Sequence, residues 1–226
     1  MGKRGPKPKG KVKIKWSSDF AYAVGLITTD GCLYRHKVCV NLTSKDLEVI
    51  KNFQKALHLE NRYKIGRKSR GADPDDKKYF VIQVSDTSLY NFLKGIGITP
   101  AKSKTLGPIN IPDLLFFDFL RGVFDGDGYT YSYWDPRWKS SFMYYIGFVS
   151  ASLAFVTWLR NEIFSSVGVK GHVTTAKGKN TYYQLKYAKA DSIKIIRKMY
   201  YQKNVMHLSR KYLKIKKMLD IVGERL

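Results

Sequence analysis

Ala23-Val24-Gly25-Leu26-Ile27-Thr28-Thr29-Asp30-Gly31 and Leu120-Arg121-Gly122-Val123-Phe124-Asp125-Gly126-Asp127-Gly128 decide how this chain is read. Each is an apolar helical run with a glycine inside it, closing on Asp-Gly. Gly25 and Thr29 are four apart, as are Gly122 and Gly126, so each pair lies on one helical face. Small residues there let two backbones approach closely. An interior glycine costs about 1 kcal/mol relative to alanine, and a close contact at Gly25 and Gly122 accounts for that cost. Val24, Ile27, Val123 and Phe124 are apolar enough to bury both helices. Asp30 and Asp127 fall at the C-terminal ends, where the helix dipole disfavours negative charge. A bound cation explains them better than capping does. Two copies in one chain can bring two like carboxylates together at a pseudo-twofold axis, an arrangement suited to divalent-metal chemistry on a two-stranded, nearly symmetric substrate.

The charge balance agrees. The 226 residues hold 41 Lys+Arg against 18 Asp+Glu, a formal net charge of +23, which is the electrostatic footprint of a nucleic-acid binder. With 44% hydrophobic and 14% aromatic residues, the chain can bury a core and is no disordered polycation. Cys32 and Cys39 match no zinc spacing, and His36, His58, His172 and His207 are scattered, so no metal-binding His/Cys cluster is expected. The two cysteines point to a reducing compartment. No apolar run reaches transmembrane length and no signal-peptide core follows the basic start. The expectation is an intracellular protein of prokaryotic cytoplasm or nucleoid, or of an organelle matrix, with no membrane association.

The chain divides into a flexible basic arm (1–17), an N-terminal repeat (18–108) and a C-terminal repeat (109–226). Residues 1–15 carry seven basic residues and no acid. Ser17 or Ser18 caps a helix over about 19–30. Residues 37–42 alternate as a strand, with Val38, Val40 and Leu42 on one side and Lys37, Cys39 and Asn41 on the other. Asp46 opens a helix to about Leu57. Arg62–Ile65 and Tyr79–Val84 read as a strand pair, and Thr87–Ile96 as a helix that Gly97 ends. Gly107-Pro108 and Ile111-Pro112 break the chain, and the order restarts. Helix Asp113–Gly126, strands Tyr129–Tyr133 and Met143–Phe148, helix Leu153–Val167, strands Val173–Thr175 and Thr181–Tyr187, and helices Asp191–Tyr201 and Ser209–Val222 follow. Each half is thus α-β-β-α-β-β-α, in the α+β class.

On Gly25-Leu26-Ile27-x-x-Asp30-Gly31, Gly122-Val123-Phe124-Asp125-Gly126-Asp127-Gly128 and the approach Phe119-Leu120-Arg121-Gly122 behind Pro108 and Pro112, the chain resembles the LAGLIDADG homing endonucleases in the form where one chain carries both motifs. The resemblance spans roughly residues 18–220. It implies two pseudo-symmetric αββαββα repeats packed through the motif helices, with an antiparallel β-saddle over the DNA major groove. It also implies a metal-dependent double-strand break with short 3′ overhangs in a long target, made by a monomer without an obligate protein partner. Asp30 and Asp127, with the backbone carbonyls of Thr29 and Gly126, would hold Mg²⁺, with Mn²⁺ or Ca²⁺ as substitutes. The family places a Lys or Arg before the last helix of each half. The matching positions are Lys102 or Lys104 and Arg210 or Lys211, of which Lys102 and Lys211 are the nominees for charge neutralisation. Where some members carry a water-positioning Gln, this chain has Ser44-Lys45 and Ser150, so Lys45 stands in as the candidate.

Base reading is expected from the outward strand residues Lys37, Asn41, Tyr79, Gln83, Tyr182, Gln184 and Lys186. Phosphate contacts are expected from the loop residues Arg67, Lys68, Arg70, Arg137, Lys139, Lys177 and Lys179. Tyr145-Ile146-Gly147 imitates a GIY-YIG element but lacks its partner and reads as strand. The rival is a non-cleaving nucleic-acid binder of the same fold, an RNA maturase or a DNA-binding regulator. An intein-embedded form is not expected, since no Cys or Ser splice junction is present.

Overall fold

A computed structural model describes residues 10–69, 78–178 and 181–226. The first half runs α1 (Ser18–Thr29), β1 (Gly31–Leu33), β2 (Val40–Ser44), α2 (Leu47–Ala56), β3 (Gly66–Lys68), β4 (Tyr79–Val84) and α3 (Thr87–Gly95). The second repeats the order with α4 (Phe116–Asp127), β5 (Gly128–Trp134), β6 (Phe142–Ser150), α5 (Leu153–Val167), β7 (His172–Ala176), β8 (Tyr182–Ala188) and α6 (Lys189–Met199), then adds α7 (Ser209–Ile221). Short 3-10 turns at Lys102–Lys104 and Asp113–Leu115 join the halves. The two antiparallel sheets have the same order, β1-β2-β4-β3 and β5-β6-β8-β7. This is the α+β architecture expected from the repeat. Among the described residues no helix is long and apolar enough to cross a membrane.

Local chemistry sets the element ends. The Ser17 hydroxyl accepts the Phe20 amide (3.1 Å) and the Asp86 carboxylate the Leu89 amide (2.9 Å), satisfying orphan N–H groups at the starts of α1 and α3. Gly168, at φ +70°, ends α5 in the left-handed region that glycine tolerates. The helices lie against one face of each sheet. Leu42, Ile82, Ile146, Phe148 and Leu185 are buried there beneath Leu26, Ile27, Phe119 and Phe124.

Four expectations are corrected. Residues 35–38 turn the first hairpin, closed by the Tyr34 amide donating to the Cys39 carbonyl (3.0 Å), so Lys37 and Val38 lie outside the strand and Val38 is exposed. Arg62–Ile65 form no strand. The Arg62 and Tyr63 amides are spent on the Leu59 carbonyl (3.0 and 3.1 Å), and pairing begins only at Gly66. Arg67 and Lys68 are therefore on β3 rather than in a loop. Residues 10–17 pack onto the first half instead of hanging free. The Asp86 carboxylate accepts the Lys11 and Val12 amides, Val12 is buried, and Trp16 sits 5.5 Å from both Phe20 and Phe92. Residues 1–9 of the expected arm, with Arg70 and Lys179, lie outside the described residues.

Candidate active site

The helices α1 and α4 meet backbone to backbone. A Cβ built on Gly25 would stand 2.9 Å from Gly122 Cα and overlap the Phe119 carbonyl, and one on Gly122 would overlap the Tyr22 carbonyl. A Cβ on Gly126 would run into the Thr29 side chain. Glycine at 25 and 122 is what the contact distance requires, and the contact brings the two Asp-Gly ends to one place.

Asp30 is the C-cap of α1 and Asp127 the last residue of α4. Between them lie the two nominated lysines. Lys102 is buried and its ammonium donates to the Gly31 carbonyl (2.5 Å). Lys211, also buried, donates to the carbonyls of Phe124 (2.6 Å), Gly126 (3.1 Å) and Gly128 (2.6 Å). Lys211 thus takes up two carbonyls of the last turn of α4, while Gly31 and Gly128, reached by Lys102 and Lys211 respectively, open the strands that follow the two motif helices. Gly31 and Gly128 are matching positions of the two motifs, so the lysines are related by the same pseudo-symmetry. Lys104 and Arg210, the other members of each pair, are exposed, and Arg210 is engaged with Asp46 at 2.7 Å.

The electrostatics tie the four groups together. Burial lowers the Lys102 pKa, against the raising effect of Cys32, Asp127 and Asp30. Burial also lowers Lys211, to about 8, with Asp125, Asp30 and Asp127 opposing and Arg210 adding to the fall. Asp127 keeps a solvent-exposed surface, yet the surrounding protein raises its pKa against the pull of Lys211 and Lys102. Asp30 and Asp127 thus share both ammonium groups.

A polar recess of about 310 Å³ opens beside Asp30, lined also by Ser44, Lys45, Asp125, Gly126 and Arg210. Asp125 was not singled out beforehand as a functional residue; its signal was the acid two residues before Asp127. Its Oδ2 accepts the Tyr22 hydroxyl (2.8 Å) and the Leu208 amide (2.7 Å), while its buried Oδ1 has no hydrogen-bond partner. Burial raises its pKa to about 6, with Tyr22, Leu208, Lys211 and Arg121 pulling the other way. The donors here are carboxylates and backbone carbonyls, the hard oxygens that Mg²⁺ and Ca²⁺ take, with waters completing the shell. The orphaned buried Asp125 oxygen, on a residue that lines the recess, and the paired acids fit a cation. Among the described residues no three or more His, Cys, Asp or Glu side chains cluster as a metal site, here or elsewhere, so carbonyls and water would have to complete any shell at Asp30 and Asp127. A cavity of about 730 Å³ between residues 200–203 and the latter part of α7 includes no motif residue.

The expected base readers divide. Gln83 and Tyr182 are exposed on their strands, and Tyr79, Gln184 and Lys186 are half-buried. Lys37 reaches over the Tyr34 ring (4.6 Å) from the hairpin turn. Asn41 is a correction: it is 6% exposed, donates to the Tyr34 hydroxyl (3.0 Å) and accepts from Thr43 (2.9 Å), so it supports the face rather than presenting itself. Of the phosphate nominees, Arg67, Arg137, Lys139 and Lys177 are exposed and Lys68 half-buried. Arg67 lies over the Phe80 ring (5.1 Å), and Arg137 pairs with Asp135 (3.2 Å). The tyrosines on the outer face of the second sheet, Tyr129, Tyr131, Tyr133 and Tyr145, were missed. Their signal was the alternation with Thr130, Ser132 and Tyr144.

Solved structures of several proteins share this fold. I-DmoI in complex with DNA and Ca is 17% identical over 88% of this chain and 97% of its own (TM-score 0.58). The I-LtrWI LAGLIDADG homing endonuclease bound to target DNA is 12% identical over 91% of each chain (TM-score 0.59). The N-terminal LAGLIDADG domain of DUF199/WhiA is 14% identical over 86% of this chain and 88% of its own (TM-score 0.54). No protein-family model and no curated protein sequence matches the chain. At these identities the likeness is one of fold: the chain has the LAGLIDADG fold.

Proposed function

We propose that the chain is a divalent-metal-dependent DNA endonuclease of the homing type, cutting both strands of a long target and leaving short 3′ overhangs. The observation that carries this reading is the shared electrostatic site: Asp30 and Asp127, from two helices in glycine-mediated contact, act on the same two buried lysines. The fold neighbours I-DmoI and I-LtrWI are DNA-bound, I-DmoI with Ca or Mn present, which supports DNA as the partner and a divalent ion as cofactor. A divalent ion, Mg²⁺ foremost, would be held by Asp30 and Asp127 and would supply an activated water and charge stabilisation at the departing 3′ oxygen.

The chain's own residues account for the rest. Lys102 and Lys211 neutralise the two strained phosphates, one per strand. Lys211, at about 8, remains mostly protonated at neutral pH. Lys45 and Arg210, on the recess beside Asp30, supply further positive charge along the strand path. Arg67, Lys68, Arg137, Lys139 and Lys177 hold phosphates farther out, and the outer sheet faces meet base edges. The protein acts as a monomer, because one chain carries both carboxylates.

A non-cleaving nucleic-acid binder is the second reading. In its favour, the Gly126 carbonyl already receives the Lys211 ammonium. One experiment separates the two. A randomised duplex library is incubated with the protein and Mg²⁺, and cut ends are sequenced. The endonuclease reading expects staggered ends at one recurrent sequence, lost on replacing Mg²⁺ by EDTA. Duplexes retained on the protein but uncut with Mg²⁺, Mn²⁺ and Ca²⁺ alike establish the binder. Binding should also weaken steeply with salt, since many phosphates are neutralised.

A further inference from the structure

The outer faces of the two sheets are chemically unlike. The hairpin registers align them: Gly31 opposite Leu42 corresponds to Gly128 opposite Phe148. Cys32, Cys39, Asn41 and Gln83 then match Tyr129, Tyr145, Gly147 and Lys186. In the first sheet the Tyr34 hydroxyl accepts from Asn41 (3.0 Å) and Gln83 (3.3 Å), which leaves its own proton for a ligand. That face reads by hydrogen bonds.

The second face is aromatic. Tyr144, Ile146 and Phe148 are buried in the core, so Tyr145 and its cross-strand partner Tyr131 point away from it. Tyr133 and Tyr145 lie 13° from parallel with centroids 6.4 Å apart, Tyr131 and Tyr145 are stacked at 6.3 Å, and Tyr131 and Tyr133 are 5.5 Å apart. The polar side chains that β8 brings beside this cluster are drawn into it, while His172 and Thr174 stand exposed farther out on β7. The Lys186 ammonium sits 4.2 Å from the Tyr145 centroid, and Gln184 accepts the Tyr129 hydroxyl (3.3 Å). Tyr131 remains 53% exposed.

We infer that the two sheets read the two halves of the target by different chemistry, the second sheet selecting thymine-rich pairs through their C5 methyl groups. This rests on the DNA-binding reading above. In the major groove every base edge offers hydrogen-bonding groups, but thymine alone adds an apolar one. A face of aromatic rings with its lysine and glutamine engaged has little hydrogen-bonding readout to offer and much apolar surface. The ring faces are turned toward one another or toward Lys186, so ring edges, rather than open faces for unpaired bases, meet the ligand. Burying one methyl on such a surface is worth about fourfold in affinity.

The test uses binding without divalent metal, so that cleavage does not enter. Duplexes recovered from a random library are remade with deoxyuridine for thymidine in one half at a time. The inference expects thymines concentrated in one half, about fourfold weaker binding there per contacted methyl removed, and no change when the other half is altered. Tyr131→Ala and Tyr145→Ala lose that methyl dependence, while Tyr131→Phe, which keeps the ring, retains it. Equal responses from the two halves overturn the inference, as does a methyl dependence that survives both alanine variants. Tighter binding of the single strand than of the duplex overturns it in favour of base stacking. Recovery of no specific duplex fails the DNA-binding reading itself, whereas a specific duplex indifferent to its methyls fails this inference alone.

Discussion

The Glu48 carboxylate, on α2 in the first half, accepts the Ser209 amide (3.1 and 3.2 Å) and hydroxyl (2.5 Å) at the start of α7, two residues before Lys211. Arg210 adds three contacts to Asp46, and Asn52 donates to the His207 carbonyl (2.8 Å). A lysine that serves the second motif is thereby positioned by the first half. The Asp46–Arg210 pair is solvent-exposed and contributes little to stability. The Glu48 cap satisfies orphan helix donors with a charge of the favourable sign. Glu48→Ala should lower unfolding stability by about 1 kcal/mol, measured in urea. On supercoiled plasmid carrying a target it should accumulate nicked circle, because loosening α7 slows one strand only. Glu48→Gln, which still accepts hydrogen bonds, should recover part of the linear product. Parallel loss of both strands' cleavage would contradict the assignment.

Asp30→Asn and Asp127→Asn should each abolish double-strand cleavage while duplex affinity changes less than about threefold, since affinity comes from the cationic side chains on the phosphates and not from these carboxylates. A gel-shift titration beside a cleavage assay checks this. Full cleavage by either variant would remove it from the metal site.

The glycine contact gives a prediction with an internal control. Gly122→Ala forces a Cβ onto the Tyr22 carbonyl, with Gly25 Cα at 3.0 Å. Backbone cannot yield as a side chain end does, so the helices must part. The loss should exceed about 3 kcal/mol. Gly95→Ala, at a helical position with nothing within 4 Å, should instead stabilise by about 0.4–1 kcal/mol. Urea midpoints of the two variants moving in the same direction would show that the helix contact is looser than described.

Legibility in the sequence followed how local the cause was. The helix Leu153–Val167 has its cap in Ser152 and its stop in Gly168, and its bounds could be read directly. The motif helices announced their contact through Gly25 and Gly122. What stayed hidden depends on partners distant in the chain. The Arg62 and Tyr63 amides are taken by Leu59, which strand propensity does not register. Asn41 has the period of an outward residue but is covered by Tyr34. Val12 and Trp16 sit in a stretch whose charge reads as disorder, yet they find Asp86, Phe20 and Phe92. Of the pairs Lys102/Lys104 and Arg210/Lys211, the nominated Lys102 and Lys211 are the buried members, a difference that spacing alone does not register.

Asp125 gives the molecule a pH signature that is independent of cleavage. Burial lifts its carboxyl from 3.8 to about 6 even though the Tyr22 hydroxyl, the Leu208 amide and two cations favour the charged form. Between those two pH values the folded protein holds a proton that the unfolded chain has released. The associated stability is fully present below about pH 4 and is lost as pH rises through about 6. Asp125→Asn keeps the shape of the neutral acid and removes the titration. Relative to wild type it should therefore gain roughly 2–3 kcal/mol on going from pH 4 to pH 6.5. Urea unfolding of both proteins across that range measures the difference directly, and the other carboxylates cancel because both proteins carry them. Parallel stability curves would mean that the Asp125 carboxylate reaches solvent or a cation when folded, and that its Oδ1 is satisfied.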